Sequence, residues 1–334
     1  MRGLLPVLIH VLSISLIISQ DYPKKKFYKR EKHAAKIMGR DDRKYGDHSG
    51  NRVLCRFYNH GSIGDQSSSF SGVYPIGSGH SYIWEFSPVV AASVVDTNGF
   101  RRHIVSDGIS GLVDASPEGT PWSFEPLSGY SNPNQENLAM SDNENSWPNS
   151  WPNRTEDWNG EWNGQYGKYV RADQESYFVV DDRYNSEFEF WPDQNDIPED
   201  PTVSPDEHRR GLGIEMEARG YQWNHPAAED IIIVTYWITN VGSSVLDSVV
   251  FGMYGDADIG GASSFSDDDA WFDTENDMVY QWDHDNWSSS YGGFRPAYFG
   301  WSFLESPGNP NDGICLLYTS PSPRDLSTSR MPSS

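Results

Sequence analysis

Cysteine is almost missing from this chain. Two residues in 334, Cys55 and Cys315, cannot build a disulfide framework. No Cys/His group has zinc spacing, no glycine loop has phosphate-cradling spacing, and no serine sits in a nucleophile elbow. The nine histidines are scattered between unrelated segments. No stretch of a dozen residues repeats apolar positions at helical spacing. Positive charge is also scarce: 25 Lys and Arg stand against 48 Asp and Glu, a net charge of −23. Ten of those 25 fall within residues 24–44, so the rest of the chain is more acidic still. Such a surface repels phosphate and excludes nucleic acid as a partner. Beyond the N-terminal apolar run, no segment is long enough to span a bilayer, so no transmembrane segment is expected once that run is removed.

The two ends differ from the body. Residues 1–20 read as a secretory signal: Arg2 is the positive start, Leu4 to Ile18 the apolar region, and Ser19-Gln20 precedes a polar residue. Export to the medium or the cell surface follows, in a host taken to be bacterial. Residues 21–48 read as a basic, disordered leader. Residues 315–334, CLLYTSPSPRDLSTSRMPSS, resemble a translated sequencing adapter of the kind found at the end of truncated metagenomic reading frames. They are not expected to belong to the fold, and the natural protein is expected to continue past them.

Between the ends, the pattern is that of strands. Ile231 to Ile238 is apolar and β-branched, Asn240 to Ser244 supplies turn residues, and Val245 to Tyr254 partly alternates. This pair reads as an antiparallel hairpin. Asn98-Gly99 marks a second hairpin. Strands are also expected within Asn51–Asn59, Ser81–Asp96, Glu175–Asp181, Glu187–Trp191, Gly213–Trp223, Met278–Trp282 and Ala297–Leu304. The expected fold is mostly β, an antiparallel β-sandwich with long acidic, Trp-, Pro- and Gly-rich loops. The proline-punctuated stretch 192–205 divides an N-terminal region, 49–191, from a C-terminal one, 206–314.

Chemistry is concentrated in two places. The first is acidic: Asp256, Asp258, Asp267, Asp268, Asp269 and Asp273 follow the second strand of the expected hairpin, with Gly255, Gly260 and Gly261 among them. Carboxylates and a glycine-bent backbone suit calcium, which takes six to eight oxygens. The spacing departs from the helix–loop–helix calcium motif, since position five is Gly260 and position twelve is Asp267. The competing reading is a solvated loop in an acidic protein.

The second is aromatic: Trp147, Trp151, Trp158 and Trp162 recur in short units with Pro, Asn and Gly. Tryptophan faces stack on sugar rings while neighbouring Asn and Asp bond hydroxyls. Equally, the rings serve to plug a long loop against a sheet. Glu215 and Glu217 fall on one strand face, where a carboxylate pair suits glycoside hydrolysis or simply forms a wet face.

Several stretches resemble large exported β-rich proteins of Bacteroidota-like and marine candidate-phylum bacteria. They are Tyr74–His80, Trp158–Gly167 (WNGEWNGQYG), Ala172–Asp182 (ADQESYFVVDD), Tyr236–Gly242 (YWITNVG), Phe251–Gly260 (FGMYGDADIG) and Tyr298–Gly308 (YFGWSFLESPG). The resemblance implies an exported surface protein that continues into β-sandwich modules and a type IX secretion sorting domain, neither of which is present. It carries no activity to particular residues. The expectation is therefore a non-catalytic exported structural or adhesive module, calcium-stabilised, with a glycan or cell-surface partner. The alternative is carbohydrate binding or processing through the tryptophan loop and nearby carboxylates.

Overall fold

The computed structural model describes residues 8–17, 42–64, 71–110, 115–117, 122–194, 208–261 and 264–305. Most of the expected basic leader, the 195–207 connector and the tail with Cys315 lie outside the described residues. Fourteen strands follow in order: β1 Leu8–Ile17, β2 Tyr45–His48, β3 Cys55–Tyr58, β4 Glu85–Val95, β5 Arg101–Asp107, β6 Glu125–Pro126, β7 Ala139–Met140, β8 Gln174–Asp181, β9 Ile214–Gln222, β10 Ile233–Asn240, β11 Asp247–Asp256, β12 Asp268–Asp273, β13 Met278–Asp283 and β14 Tyr298–Glu305. Helical structure among the described residues is confined to short 3-10 turns, and none of it is long and apolar enough to cross a membrane.

The strands form a sandwich. One sheet runs β12-β13-β14-β1-β10-β9-β8-β6, with β7 also on β8; the facing sheet is β11-β4-β5. All pairs are antiparallel except the two that β1 makes. The sheets meet through aromatic rings. Phe86 of β4 lies 5.2 Å from Phe299 and 4.9 Å from Trp301 of β14, and Tyr236 of β10 lies 5.3 Å from Phe251 of β11. Val90, Ile104, Phe178, Val180, Met216 and Val234 fill the space between them. Strands from both sides of residues 192–205 pair within each sheet, and one core runs through both regions.

Two expected elements differ. β10 and β11 are not a hairpin, because they lie in opposite sheets. The turn between them is anchored sideways: the Val241 amide donates to the Gly213 carbonyl at 2.8 Å, and the Ser243 and Ser244 amides donate to the Pro192 carbonyl at 3.0 and 2.9 Å. That anchor sends the chain across the core, so the two apolar runs face each other instead of lying side by side. Glu187–Trp191, for all its alternation, is no strand. Phe190 and Trp191 are buried there, and Arg210 donates to the carbonyls of Phe188 and Phe190, satisfying the backbone without a ladder.

The expected Asn98-Gly99 hairpin is present. β4 and β5 close through Asn98-Gly99, with Gly99 at φ +80° and the Asp96 carboxylate accepting from the Asn98 and Phe100 amides. The folded body starts earlier than residue 49, since β2 pairs with β3 and His48 is fully buried. Burial pushes the His48 pKa down to about 3, so the ring is neutral. Cys55 is a buried free thiol, pushed up to about 12 by desolvation, and is chemically inert.

Candidate functional site

The antiparallel register builds an acidic corner. Asp268 opens β12 opposite Asp283, which closes β13. A 3-10 turn, Phe265–Asp267, and the turn after β11 lead the chain into this corner. The Ile259 amide donates to Asp268 Oδ2 at 2.8 Å, the Ser264 hydroxyl to Asp283 Oδ2 at 3.0 Å, and the Trp287 amide to Asp283 Oδ1 at 2.7 Å. Asp267, Asp283 and Asp285 each bring one carboxylate oxygen within 4.8 Å of the others. Asp268 Oδ1 is buried beside them with no hydrogen-bond partner among the described residues.

Electrostatics mark this corner as strained in charge. The Asp268 pKa is pushed up to about 7, first by desolvation and then by the charges of Asp283, Asp258 and Asp267, against the pull of the Ile259 amide. A carboxyl raised in the folded state binds its proton more tightly there than in the unfolded chain. Its contribution to stability therefore declines as pH rises from about 4 to about 7, and an ionised Asp268 is a burden at neutral pH. A bound divalent cation would remove that burden. The donors are all oxygen, the ligand type that hard cations take.

The six aspartates expected from the sequence divide. Asp258 and Asp267 both raise the Asp268 pKa and so share its corner. Asp256 accepts instead from the Tyr254 hydroxyl at 3.2 Å. Asp269 pairs with His284 Nδ1 at 2.6 Å and raises the pKa of that exposed ring. Asp273 folds back on the Glu275 and Asn276 amides at the far end of β12, roughly 16 Å from Asp268 by strand rise. Asp283 and Asp285 take their places. The missed signal was the β12–β13 hairpin itself, whose closing turn fixes which acids lie opposite one another.

The tryptophans sit on the other face of the large sheet, over β8 and β9. Trp151 and Trp162 are buried, and Trp147 and Trp158 pack half-buried against them, together with Tyr177 and Val179. Trp151 stands edge-on to Trp162 at 6.1 Å and lies 5.8 Å from Tyr177. Their indole N–H groups are used internally: Trp162 donates to Glu175 at 2.7 Å, Trp151 to the Glu161 carbonyl and Trp147 to the Met140 carbonyl. Arg154 lies 4.3 Å over the Trp158 ring. Beneath, the buried Arg219 lies 3.8 Å over Tyr177 and donates to the Asn163 carbonyl. These rings pin a long loop, and Trp151 and Trp162 present no face to a ligand. Glu217 accepts from the Tyr177 hydroxyl at 3.1 Å and Glu215 from Arg209 at 3.2 Å, so each is tied to its own partner.

An aromatic row lies elsewhere, on β12, β13 and β14. Trp271 is 63% exposed and faces Tyr280 across the β12–β13 ladder. Trp282 stacks on Tyr298 at 5.9 Å and 25°, and Tyr280 lies 5.4 Å from Trp282. Strand alternation puts this row on the face opposite Phe299, which is buried in the core. No protein-family model, curated protein or solved structure matches the chain.

Proposed function

We propose that this chain is a non-catalytic, exported structural or adhesive β-sandwich module whose acidic corner holds a calcium-like cation. The observation that carries the reading is the convergence of Asp267, Asp283 and Asp285 beside the orphaned Oδ1 of Asp268. Like charges at this spacing favour a cation between them. The signal-like run Leu4–Ile18 and the net charge of −23 support export into a calcium-containing medium.

Thermal unfolding tests this directly. Calcium at about 100 times its Kd should add roughly 2.7 kcal/mol, raising Tm by about 5–10 °C over the EDTA-treated protein. Asp283→Asn should abolish the shift. Asp268→Asn should also reduce it, yet raise Tm in EDTA at pH 8, because the burdened charge is gone. Equal Tm values with and without calcium would sink the cation reading.

The aromatic row favours a second reading, the binding of an uncharged glycan. Trp271 offers an exposed ring at the sheet edge beside the half-buried Tyr280, Trp282 and Tyr298, and the acidic body disfavours polyanionic glycans. Each lost ring should weaken binding by about 1 kcal/mol, roughly fivefold in Kd. Affinity electrophoresis in neutral polysaccharides, comparing the native chain with Trp271→Ala and Trp282→Ala, measures this. Retention that both variants leave unchanged removes the reading.

A further inference from the structure

The large sheet is two antiparallel blocks joined by a single strand. β12-β13-β14 form one block, and β10-β9-β8 with β6 and β7 form the other. β1 lies between them and runs parallel to both neighbours. Ser13–Ile17 pair with Ile233–Trp237, and Leu8–Ser15 pair with Tyr298–Glu305. β10 and β14 do not pair with each other, so among the described residues every ladder bond between the blocks passes through Leu8–Ile17.

That strand is irregular on one side. Its register with β14 shifts twice, between His10 and Leu12 and between Ile14 and Ser15, although its register with β10 is regular. Parallel pairing is also slightly weaker per residue than antiparallel pairing. The same ten residues belong to the run Leu4–Ile18 that reads as an export signal. A segment held by export machinery, or cut away by it, cannot also close a sheet. Its departure would leave two facing edges, β10 and β14, with unpaired N–H and C=O groups about one strand-width apart. It would also uncover a side of Val234 and Tyr236, both fully buried.

We propose that the gap between β10 and β14 is a strand-acceptor slot. Leu8–Ile17 fills it in the unprocessed chain, and after that segment is released it takes an apolar, β-branched-rich strand of a partner polypeptide, parallel to β10. The slot sets the chemistry of its occupant. Backbone groups on both edges supply the hydrogen bonds, and the positions opposite Val234 and Tyr236 require apolar residues, as Ile14 and Leu16 are here. The acidic body favours basic residues flanking the strand. This chain already has that arrangement, since the basic stretch 24–44 follows Leu8–Ile17. Only the timing of opening rests on the export reading; the slot rests on the pairing.

The test uses the full chain with a site-specific protease site inserted between Gln20 and Lys24. The chain is folded, cut, and offered a fluorescein-labelled peptide of Leu8–Ile17 followed by four lysines. The cut protein should bind this peptide saturably at one per chain, at least tenfold more tightly than the uncut protein. The same peptide with Ile14→Asp and Leu16→Asp should not bind. Hydrogen exchange at 233–237 and 298–303 should quicken when the segment leaves and slow again when the peptide binds. The proposal is overturned if mass spectrometry shows the cut segment gone while neither peptide uptake nor exchange changes. It is equally overturned if the cut segment stays and a hundredfold excess of labelled peptide cannot replace it, because the strand is then a permanent part of the core. Neither result bears on whether calcium binds the acidic corner, which the Tm shift reads separately.

Discussion

Trp162→Ala is expected to cost about 3–5 kcal/mol of unfolding free energy, lowering Tm by roughly 10 °C. Trp162 is 2% exposed and sits at the centre of the second apolar cluster, 5.5 Å from Trp147 and 6.1 Å from Trp151. Removing the indole leaves a cavity beneath a loop that has few ladder bonds of its own. It also takes a donor from Glu175, a buried carboxylate that further accepts from the Arg171 and Ala172 amides. Urea unfolding followed by tryptophan fluorescence gives the number. A loss below 1 kcal/mol would mean that the loop is held from elsewhere and that the ring is kept for some other purpose. Trp271→Ala is the natural control: it removes an equally large but exposed ring from an edge strand and should barely change stability.

The second large effect is expected at Asp182, just past the end of β8. Its carboxylate accepts from the Leu212 amide at 2.6 Å, the Ile214 amide at 3.0 Å and the Ser106 hydroxyl at 2.9 Å. One side chain thus ties the start of β9 and the facing sheet's β5 to the end of β8. Asp182→Ala leaves two buried amides and a hydroxyl without their acceptor, a cost of about 3–5 kcal/mol. Space is tight as well: a Cβ on Gly211, at φ +65°, would stand 2.4 Å from the Asp182 carbonyl oxygen. Desolvation pushes the Asp182 pKa up to about 6, opposed by the Arg209 charge and the two amide bonds. The folded state therefore holds this proton more tightly than the unfolded chain, and stability falls as pH rises from about 4 to about 6. Asp182→Asn should flatten that part of the pH–stability curve at some cost in overall stability. A curve of unchanged slope would show that Asp182 does not titrate there.

The two effects lie on opposite sides of one sheet. Trp162 pins the outer loop to β8 and β9, and Asp182 clamps the same pair of strands to the facing sheet. The acidic corner lies at the other end of the strand order, on β12 and β13. On the proposed cation reading, chelation should therefore soften β12 and β13 without releasing the tryptophan loop, a difference that hydrogen exchange can resolve.

The class of fold is legible in local pattern. Runs such as Ile231–Ile238, and the alternation in Gly213–Trp223, carry period two and β-branching, which are local properties that survive any arrangement of the strands. The Asn98-Gly99 turn is local too, and it lies where it was expected. Which strands meet is set by long-range contacts. β10 and β11 are joined by a short turn yet sit in different sheets, because Pro192 and Gly213, distant in sequence, hold that turn. The acidic site shows the same limit. A count of aspartates names the region, but only the β12–β13 register sets Asp283 opposite Asp268 and sends Asp273 to the far end. The four tryptophans were visible as a repeated unit, whereas their burial depends on Tyr177 and Arg219 from strands elsewhere in the chain. Period and turn chemistry act over a few residues and can be read in order along a chain; cross-strand register and burial are set by partners tens to hundreds of residues away, which order along the chain does not encode.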